Sequence, residues 1–311
     1  MRLSSWSVLL VLWLTYPAQA KVGFGVRSWL TEPGHRAVQN ANGYFDLDMA
    51  AGSTVQHQVE LENTGDEPLK LDVYPGDGAN SSSGSLTGTG LGETPHASGL
   101  WVSLERTMVP LKPREMQRVN FKLSVPIGTP QGDYFAWVFV EPQDQLISPS
   151  PASPTPTATN DTQFALKIKK RLGVVLLIHV GDRTKFTRHI GIDDGSGAPP
   201  EAVAGGVKTA RLGKYFRDGQ IYYGLKLDNR GETYLKPRWQ WRLLDAEGKL
   251  VSGSPEATDL GYLCAGHPLV ITVPLTAGKI LPRGHYSLEI TVQDPRYADI
   301  HLQNVFNIVL P

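Results

Sequence analysis

The sequence predicts an all-β protein built from two tandem immunoglobulin-like β-sandwiches that follow a signal peptide, and three observations support this fold class. The chain of 311 residues contains 32 glycines and 23 prolines with only 19% charged residues, a composition typical of short strands and turns. Apolar side chains recur at every second position along much of the chain, as half-buried strands require. A pattern of strand and turn residues also occurs once in each half of the chain.

The alternation marks short segments in both halves, and none of them keeps a helical period for long. In the first half it is seen in Phe45-Leu47-Met49, Val55-His57-Val59-Leu61, Leu69-Leu71-Val73, Val119-Phe121-Leu123-Val125, Ala136-Val138-Val140 and Leu166-Ile168. In the second half it is seen in Ile221-Tyr223-Leu225-Leu227, Trp239-Trp241-Leu243, Leu269-Ile271-Val273 and Tyr286-Leu288-Ile290-Val292. Turn residues such as Asn42-Gly43 and Glu247-Gly248 separate the segments, which is the spacing of a sandwich.

The internal repeat has two landmarks in each copy. Residues 59–66 read VELENTGD and residues 225–232 read LKLDNRGE, so both copies end a strand in an Asn-x-Gly turn. The corner PQGDY ends at Tyr134 and the corner PRGHY ends at Tyr286. We expect each tyrosine to pack its ring inward and to direct its hydroxyl to nearby backbone. The first copy carries extra residues, which we assign to a Gly/Ser-rich loop at 76–99.

The N-terminus predicts export. Residues 1–20 combine a basic Arg2, an apolar run and a small-x-small cleavage pattern at Ala18-Gln19-Ala20, which is typical of a secretory signal peptide. No later stretch is long and apolar enough for an integral membrane span. The single cysteine, Cys264, excludes an intramolecular disulfide, and we expect it to be buried.

The domain boundary is predicted near residue 182. Residues 148–160 are rich in proline and resemble a linker, but a cut there would remove the closing strand of the first sandwich, which residues 164–180 supply. We therefore predict a first domain at 21–182 with a long Pro-rich loop at 148–160. The second domain then comprises residues 183–311.

The sequence gives little support to catalysis. It lacks the nucleophile-elbow, metalloprotease and phosphate-loop motifs, and the eight histidines have no His or Cys neighbour at ligand spacing. We expect a non-enzymatic protein without cofactor or metal, with His57 and His179 in the core. Asp46 with Asp48, and Asp193 with Asp194, are interpreted as solvated turns in preference to calcium ligands. The equal counts of 30 basic and 30 acidic residues argue against a nucleic-acid partner.

Aromatic and basic side chains are the candidate binding residues. The set consists of Trp137, Lys167, Lys169, Lys170, Arg171, Trp239 and Trp241. Trp239 and Trp241 alternate with polar residues, which favours the core face of a strand, whereas Trp137 lies opposite Ala136 and Val138 and has the better prospect of exposure. The basic cluster beside the closing strand is either a solvated edge or an anchor for an acidic polymer or a chain terminus.

Several motifs of the first half together resemble the N-terminal domain of the WxL-interacting cell-surface proteins of bacteria. They are Gly43-Tyr44-Phe45-Asp46-Leu47, residues 59–68, Trp101 to Leu104, Gly132-Asp133-Tyr134 and Arg171 to Val174. The resemblance implies a peptidoglycan-binding first domain and a second domain that binds a partner protein. Members of that family usually end in a transmembrane helix, whereas this sequence ends at Val309-Leu310-Pro311, so we do not expect membrane anchoring.

The sequence is also similar in outline to periplasmic pilus chaperones, which are two-domain sandwiches that donate an edge strand. In that alternative, residues 164–180 would be the donated strand, with the basic cluster holding a C-terminal carboxylate. A carbohydrate-binding module is a third alternative, which an exposed row of tryptophans would favour. We predict an exported binding protein of the cell surface, cell wall or periplasm whose partner is peptidoglycan or another envelope protein.

Overall fold

The computed structural model describes residues 23–31, 36–37, 43–143, 170–195, 212–276 and 281–310. The described residues are almost entirely β-strand, with two short 3-10 turns at Ser98–Trp101 and Arg183–Lys185. They form two β-sandwiches, which confirms the predicted fold class. Within these ranges no helix is long and apolar enough to cross a membrane. The predicted signal peptide, the Pro-rich loop at 148–160, Lys167 and Lys169 lie outside the described residues.

The first sandwich consists of eleven described strands in two sheets. The strands are β1 (Phe24–Trp29), β2 (Arg36–Ala37), β3 (Tyr44–Met49), β4 (Thr54–Asn63), β5 (Leu69–Asn80), β6 (Leu86–Thr89), β7 (Val102–Leu104), β8 (Met108–Leu111), β9 (Met116–Ser124), β10 (Gly132–Pro142) and β11 (Leu172–Val180). One sheet has the order β1-β4-β9-β7. The other has the order β2-β3-β11-β10-β5-β6, with β8 paired to β5.

The second sandwich consists of nine described strands. They are β12 (Ile190–Asp193), β13 (Gly213–Arg217), β14 (Gln220–Asn229), β15 (Arg238–Leu244), β16 (Leu250–Gly253), β17 (Thr258–Asp259), β18 (Leu269–Pro274), β19 (Gly284–Asp294) and β20 (Tyr297–Leu310). One sheet has the order β12-β14-β13, with β18 also paired to β14, and the other has the order β16-β15-β19-β20, with β17 paired to β15.

The alternating residues build one core in each sandwich. In the first, Phe45, Leu47 and Leu61 are fully buried between the sheets, and Phe121 packs edge-on to Phe45 with ring centroids 5.2 Å apart. Burial of each such side chain contributes roughly 1.5–3 kcal/mol. The second core is built in the same way around Leu225, Leu288 and their neighbours. Period-two patterning therefore places the apolar set of each strand on its inner face.

The repeated Asn-x-Gly turn has the same geometry in both sandwiches. The side-chain oxygen of Asn63 accepts a bond from the backbone amide two residues later at 2.9 Å, and its amide donates to the carbonyl four residues later at 2.7 Å. Asn229 makes the corresponding bonds at 2.9 Å and 2.8 Å. Both asparagines are buried, so their amides stabilise the turn where no water can replace them.

The repeated corner has the predicted tyrosine geometry. Tyr134 donates its hydroxyl proton to the carbonyl of Pro130 at 2.9 Å, and Tyr286 donates to Pro282 at 2.8 Å. Both rings belong to their respective cores. The two sandwiches therefore share the same hydrogen bonds at both the repeated turn and the repeated corner.

The segment predicted as a Gly/Ser-rich loop at 76–99 contains regular structure. Strand β5 continues to Asn80, and β6 pairs back onto it from Leu86 to Thr89. The glycines are needed here because a Cβ at Gly76 or Gly88 would overlap the ring of Phe139. The glycine content of this segment suggested a loop. In the structure these glycines lie in strands, and because they have no side chain, aromatic rings can pack directly against the sheet.

Candidate functional site

In the described part of the chain, the closing strand β11 of the first sandwich is paired along only part of one edge. On one side it pairs antiparallel with β10 from Leu172 to Val180. On the other side β3 runs parallel to it, but the register begins only at Val175, opposite Tyr44. Among the described strands, none pairs with Leu172–Val174 on that side. We call this side of Leu172–Val174 the open edge.

The chain passes from one sheet to the other between β1 and β3. Strand β1 pairs with β4 in one sheet from Phe24 to Trp29, and the chain then returns as β3 in the other sheet beside β11. Phe24 and Val26 of β1 turn their side chains into the core of the first sandwich. Strand β1 therefore lies close to β11 while it pairs within the opposite sheet.

Two basic side chains flank the start of β11. The ammonium of Lys170 lies 5.5 Å from the ring centroid of Phe24, on the β1 side. The guanidinium of Arg171 lies 4.1 Å from the ring centroid of Phe139 and donates to the carbonyl of Gly88 at 3.3 Å, on the outer face of the sheet. Of the predicted basic cluster, these two members are described. Lys170 lies on the side of the open edge, whereas Arg171 reaches over β10 toward β6, on the other side of β11.

The outer face beside Arg171 is aromatic. Trp137 and Phe139 stack with their ring planes 6° apart and centroids 5.5 Å apart, and Tyr74 packs against Phe139 at 5.6 Å. Trp137 is half-buried, on the opposite face of β10 from Ala136 and Val138, as the alternation predicts. Its indole contributes one partly exposed ring to this face.

The other two candidate tryptophans lie elsewhere. Trp241 is 7% exposed within the second core, and Trp239 packs against the same core while partly buried. Both project from the inner face of β15, which pairs on both sides with other strands. They are core residues, and with Trp137 on a different sandwich the three rings form no common exposed row.

A buried ionic network links the two sandwiches. His179 is 1% exposed, with Nδ1 2.5 Å from an oxygen of Asp133 and Nε2 2.9 Å from an oxygen of Asp46. Asp133 uses its second oxygen to accept bonds from the Thr233 hydroxyl at 2.6 Å and the Tyr234 amide at 2.8 Å, both in the second half of the chain. We call these five residues the interdomain joint.

The charge on His179 follows from its partners. An ionised carboxylate accepts hydrogen bonds and does not donate them, so two carboxylates on one imidazole require both ring nitrogens to carry protons. Burial opposes that charge, but the hydrogen bonds to Asp133 and Asp46 outweigh it and raise the pKa of His179 above its ordinary value. The two carboxylates therefore favour the protonated form of His179.

The sequence predicted His179 as a core histidine but missed the joint. Asp46 was assigned to a solvated turn, whereas it lies in β3 and binds both His179 and Arg183, the latter at 3.2 Å. The only sequence signal is a difference between the repeated corners, where Asp133 in the first copy corresponds to His285 in the second. Asp193, also assigned to a solvated turn, is the last residue of β12 and accepts a bond from the Gly195 amide at 2.8 Å, in the turn that follows the strand.

A small apolar cluster covers the joint. Phe135, Leu177 and Cys264 are buried together, with Tyr234 and Tyr262 packed against them. Burial raises the pKa of the Cys264 thiol to about 12, so it is held as a neutral thiol, as expected for a buried residue. In the described part of the chain, no group of three or more His, Cys, Asp or Glu side chains is placed to hold a metal ion.

Comparisons with known proteins give structural neighbours alone. No family model and no curated protein matches the sequence. The class 5 fimbriae chaperone CfaA aligns with 85% of this chain and 95% of its own, at 8% identity and a TM-score of 0.37. A chain from the complex of the Salmonella enterica SafA pilin with the SafB chaperone aligns with 92% of this chain and 97% of its own, at 12% identity and a TM-score of 0.32.

A third neighbour, the E. coli chaperone DraB, aligns with 94% of this chain and 98% of its own, at 13% identity and a TM-score of 0.31. All three TM-scores lie below 0.5.

Proposed function

We propose that this protein binds an extended segment of another exported protein by strand addition at the open edge, in the manner of a pilus-type chaperone. The observation that carries the proposal is the partial pairing of β11 among the described strands, where β3 covers it only from Val175 onward. An unpaired strand edge offers a row of backbone donors and acceptors that a second extended chain satisfies.

The surroundings of the open edge fit an apolar strand. Leu172 is packed against the core of the first sandwich while half-buried, and Val174 is buried in it. Phe24 and Val26 of the neighbouring strand β1 are buried in the same core. A segment with alternating apolar residues would continue the core layer beside these side chains, and its backbone would extend the sheet.

The charge at the open edge fits an anionic group on the partner. Lys170 lies beside the first residues of β11 on the β1 side, with its ammonium 5.5 Å from the ring centroid of Phe24. A carboxylate at the end of a bound strand would meet this cation, which favours a C-terminal segment over an internal one. Binding should then weaken with ionic strength, because Lys170 is exposed to solvent.

The test uses a soluble peptide of alternating valine and threonine, prepared with a free and with an amidated C-terminus. We expect the mature chain to bind the free form more tightly, and hydrogen exchange of the amides within Leu172–Val174 to slow on binding. The double variant Lys170→Ala/Arg171→Ala should lose the preference for the free carboxylate. A matched control, Arg217→Ala/Lys249→Ala, removes two exposed cations of the second sandwich and should keep it.

Two results would overturn this proposal. Absence of binding by either peptide would reject strand addition. Binding without protection at Leu172–Val174 would place the site elsewhere on the molecule.

The peptidoglycan hypothesis keeps a separate test. Cosedimentation of residues 21–311 with purified sacculi, alongside a truncation that ends at Asp182, measures wall binding and assigns it to a domain. Pelleting of both chains at moderate salt would support the resemblance to the WxL-interacting proteins. Among the described residues, the feature that favours peptidoglycan is the stacked pair of Trp137 and Phe139 beside Arg171, because flat aromatic rings can stack on sugars.

A further inference from the structure

The last strand of the second sandwich forms a long edge. Strand β20 runs from Tyr297 to Leu310, which makes it the longest of the described strands at 14 residues. It pairs with β19 on one side from Leu310 back to His301 without interruption. On its other side, no described strand pairs with it.

Over most of its length this edge carries no charged residue of its own strand. Residues 300–310 read IHLQNVFNIVL and contain no Lys, Arg, Asp or Glu. Val305 and Val309 are 56% and 51% exposed on the outer face. Natural sheet edges are normally short or carry charges, prolines or bulges that block pairing with another chain. The uncharged length of β20 therefore indicates an edge that is paired in the working protein.

The direction of the free backbone groups can be assigned. The ammonium of Lys214, which belongs to the opposite sheet, donates to the carbonyl of Val309 at 2.5 Å. That carbonyl therefore points away from β19. Because backbone groups alternate in direction along a strand, the odd-numbered residues from His301 to Val309 present their N–H and C=O groups on the free side.

We infer that β20 pairs antiparallel with β20 of a second copy, with the two-fold axis at Val305. In this register Val305 faces itself and Gln303 faces Asn307 of the other copy. On the inner face, Leu302 faces Ile308 of the other copy and Ile300 faces its Leu310. These pairs match apolar with apolar and amide with amide, whereas Asn304 faces Phe306 and His301 faces Val309.

The register also agrees with the backbone directions. Odd residues pair with odd residues, so Val305 exchanges both of its hydrogen bonds with its copy, and Gln303 does so with Asn307. Lys214 covers only the Val309 carbonyl, which lies at the end of the paired stretch. The central pairs need no side chain to move. Residues 300–310 offer no charged side chain that could form an ion pair with a charged partner strand. An uncharged partner strand, such as β20 of a second copy, therefore fits this edge better.

The oligomeric state tests the inference. We expect sedimentation velocity of the mature chain to show a concentration-dependent dimer, and Val305→Lys to raise its dissociation constant at least about tenfold, because two like charges would face each other at the axis. Leu250→Lys is the matched control, since Leu250 is 55% exposed on β16 at the opposite edge of the same sheet. That variant should dimerise as the unmodified chain does.

Val305→Cys provides a second measurement that does not depend on weakening the protein. Oxidation should convert it into a covalent dimer that retains the melting temperature of the unmodified chain, whereas Leu250→Cys should not cross-link efficiently. A chain that stays monomeric at every accessible concentration would overturn the inference. So would a dimer that is indifferent to Val305→Lys, because its interface would then lie elsewhere.

Discussion

His179 shows how one buried residue is held by groups that are remote in sequence. Asp46 comes from β3 and Asp133 from β10, and each contacts one ring nitrogen. Removal of one partner from a buried charge network is strongly destabilising, because the remaining charges keep their desolvation cost. The stability of this region should therefore depend on the charge of a single imidazole.

We predict that this contribution depends on pH. The pKa of His179 is raised in the folded chain above its ordinary value of 6.5, so the stabilisation is fully present below about pH 6.5 and declines as the pH rises through the folded-state value. Denaturant melts of the unmodified chain and of His179→Asn, from pH 6 to pH 10, should show a stability difference that shrinks with rising pH. A difference that stays constant would contradict a charged His179.

The paired asparagines give a second prediction at this scale. Asn63 and Asn229 each satisfy a backbone amide and a backbone carbonyl in a buried turn. Replacement of either by alanine leaves those groups unpaired, so we expect each variant to lose about 2–3 kcal/mol of unfolding free energy. Asn120→Ala is the control, because its side chain bonds at an exposed site. Equal losses for all three variants would contradict the proposed importance of burial.

At the scale of elements, the glycine-lined sheet explains why β5 and β6 pair where a loop was predicted. Gly88 lies in β6 directly beneath the ring of Phe139, and Gly173 in β11 lies beside the same ring. The aromatic side chains of β10 lie over these glycines and bury backbone that would otherwise face water. Glycine in this sheet is therefore a packing requirement of β10.

We predict that Gly88→Ala destabilises the first sandwich by about 1–3 kcal/mol, because the added methyl group overlaps Phe139. Gly25→Ala is the matched control in a strand, since its added Cβ would meet its nearest neighbour, Glu62, at an ordinary 3.9 Å. The double variant Gly88→Ala/Phe139→Leu should lose less stability than the sum of the two single variants. Additive losses in chemical denaturation would show that the overlap is not the cause.

The contrast between β5 and the repeated corners shows what the sequence could predict. Period-two alternation and the PxGxY corner are local, so they predicted the strands, the inward apolar sets and the tyrosine bonds of Tyr134 and Tyr286. The open edge and the joint depend on register between distant strands, as between Tyr44 and Val175. Composition alone also cannot separate a glycine that forms a turn from one that lies under a ring.

At the scale of the whole molecule, the contact between the sandwiches combines the joint, the apolar cluster around Cys264 and further hydrogen bonds such as that from Gln131 to Glu232. Asp133 accepts hydrogen bonds from Thr233 and Tyr234 of the other sandwich. Cys264 packs against Phe135, and its backbone amide donates to the side chain of Asn80 at 2.8 Å. Interfaces of this kind are usually weaker than the cores that they connect. Opening of the joint should therefore precede unfolding of either sandwich.

The single cysteine reports that opening. Cys264 is 3% exposed in the cluster over the joint, and burial raises the pKa of its thiol to about 12, so a thiol reagent can react only after the two halves separate. We predict that Thr233→Val, which removes the hydroxyl that bonds Asp133, speeds labelling of Cys264 about tenfold below the denaturation midpoint, as expected for the loss of roughly 1.4 kcal/mol.

The control for this prediction is Thr258→Val, an exposed threonine of β17 that lies outside the cluster. Its labelling rate should equal that of the unmodified chain. Labelling that accelerates in Thr233→Val only in step with global unfolding, measured by circular dichroism under the same conditions, would mean that the sandwiches do not separate first. Faster labelling at unchanged global stability would instead establish the joint as the first contact of the molecule to open.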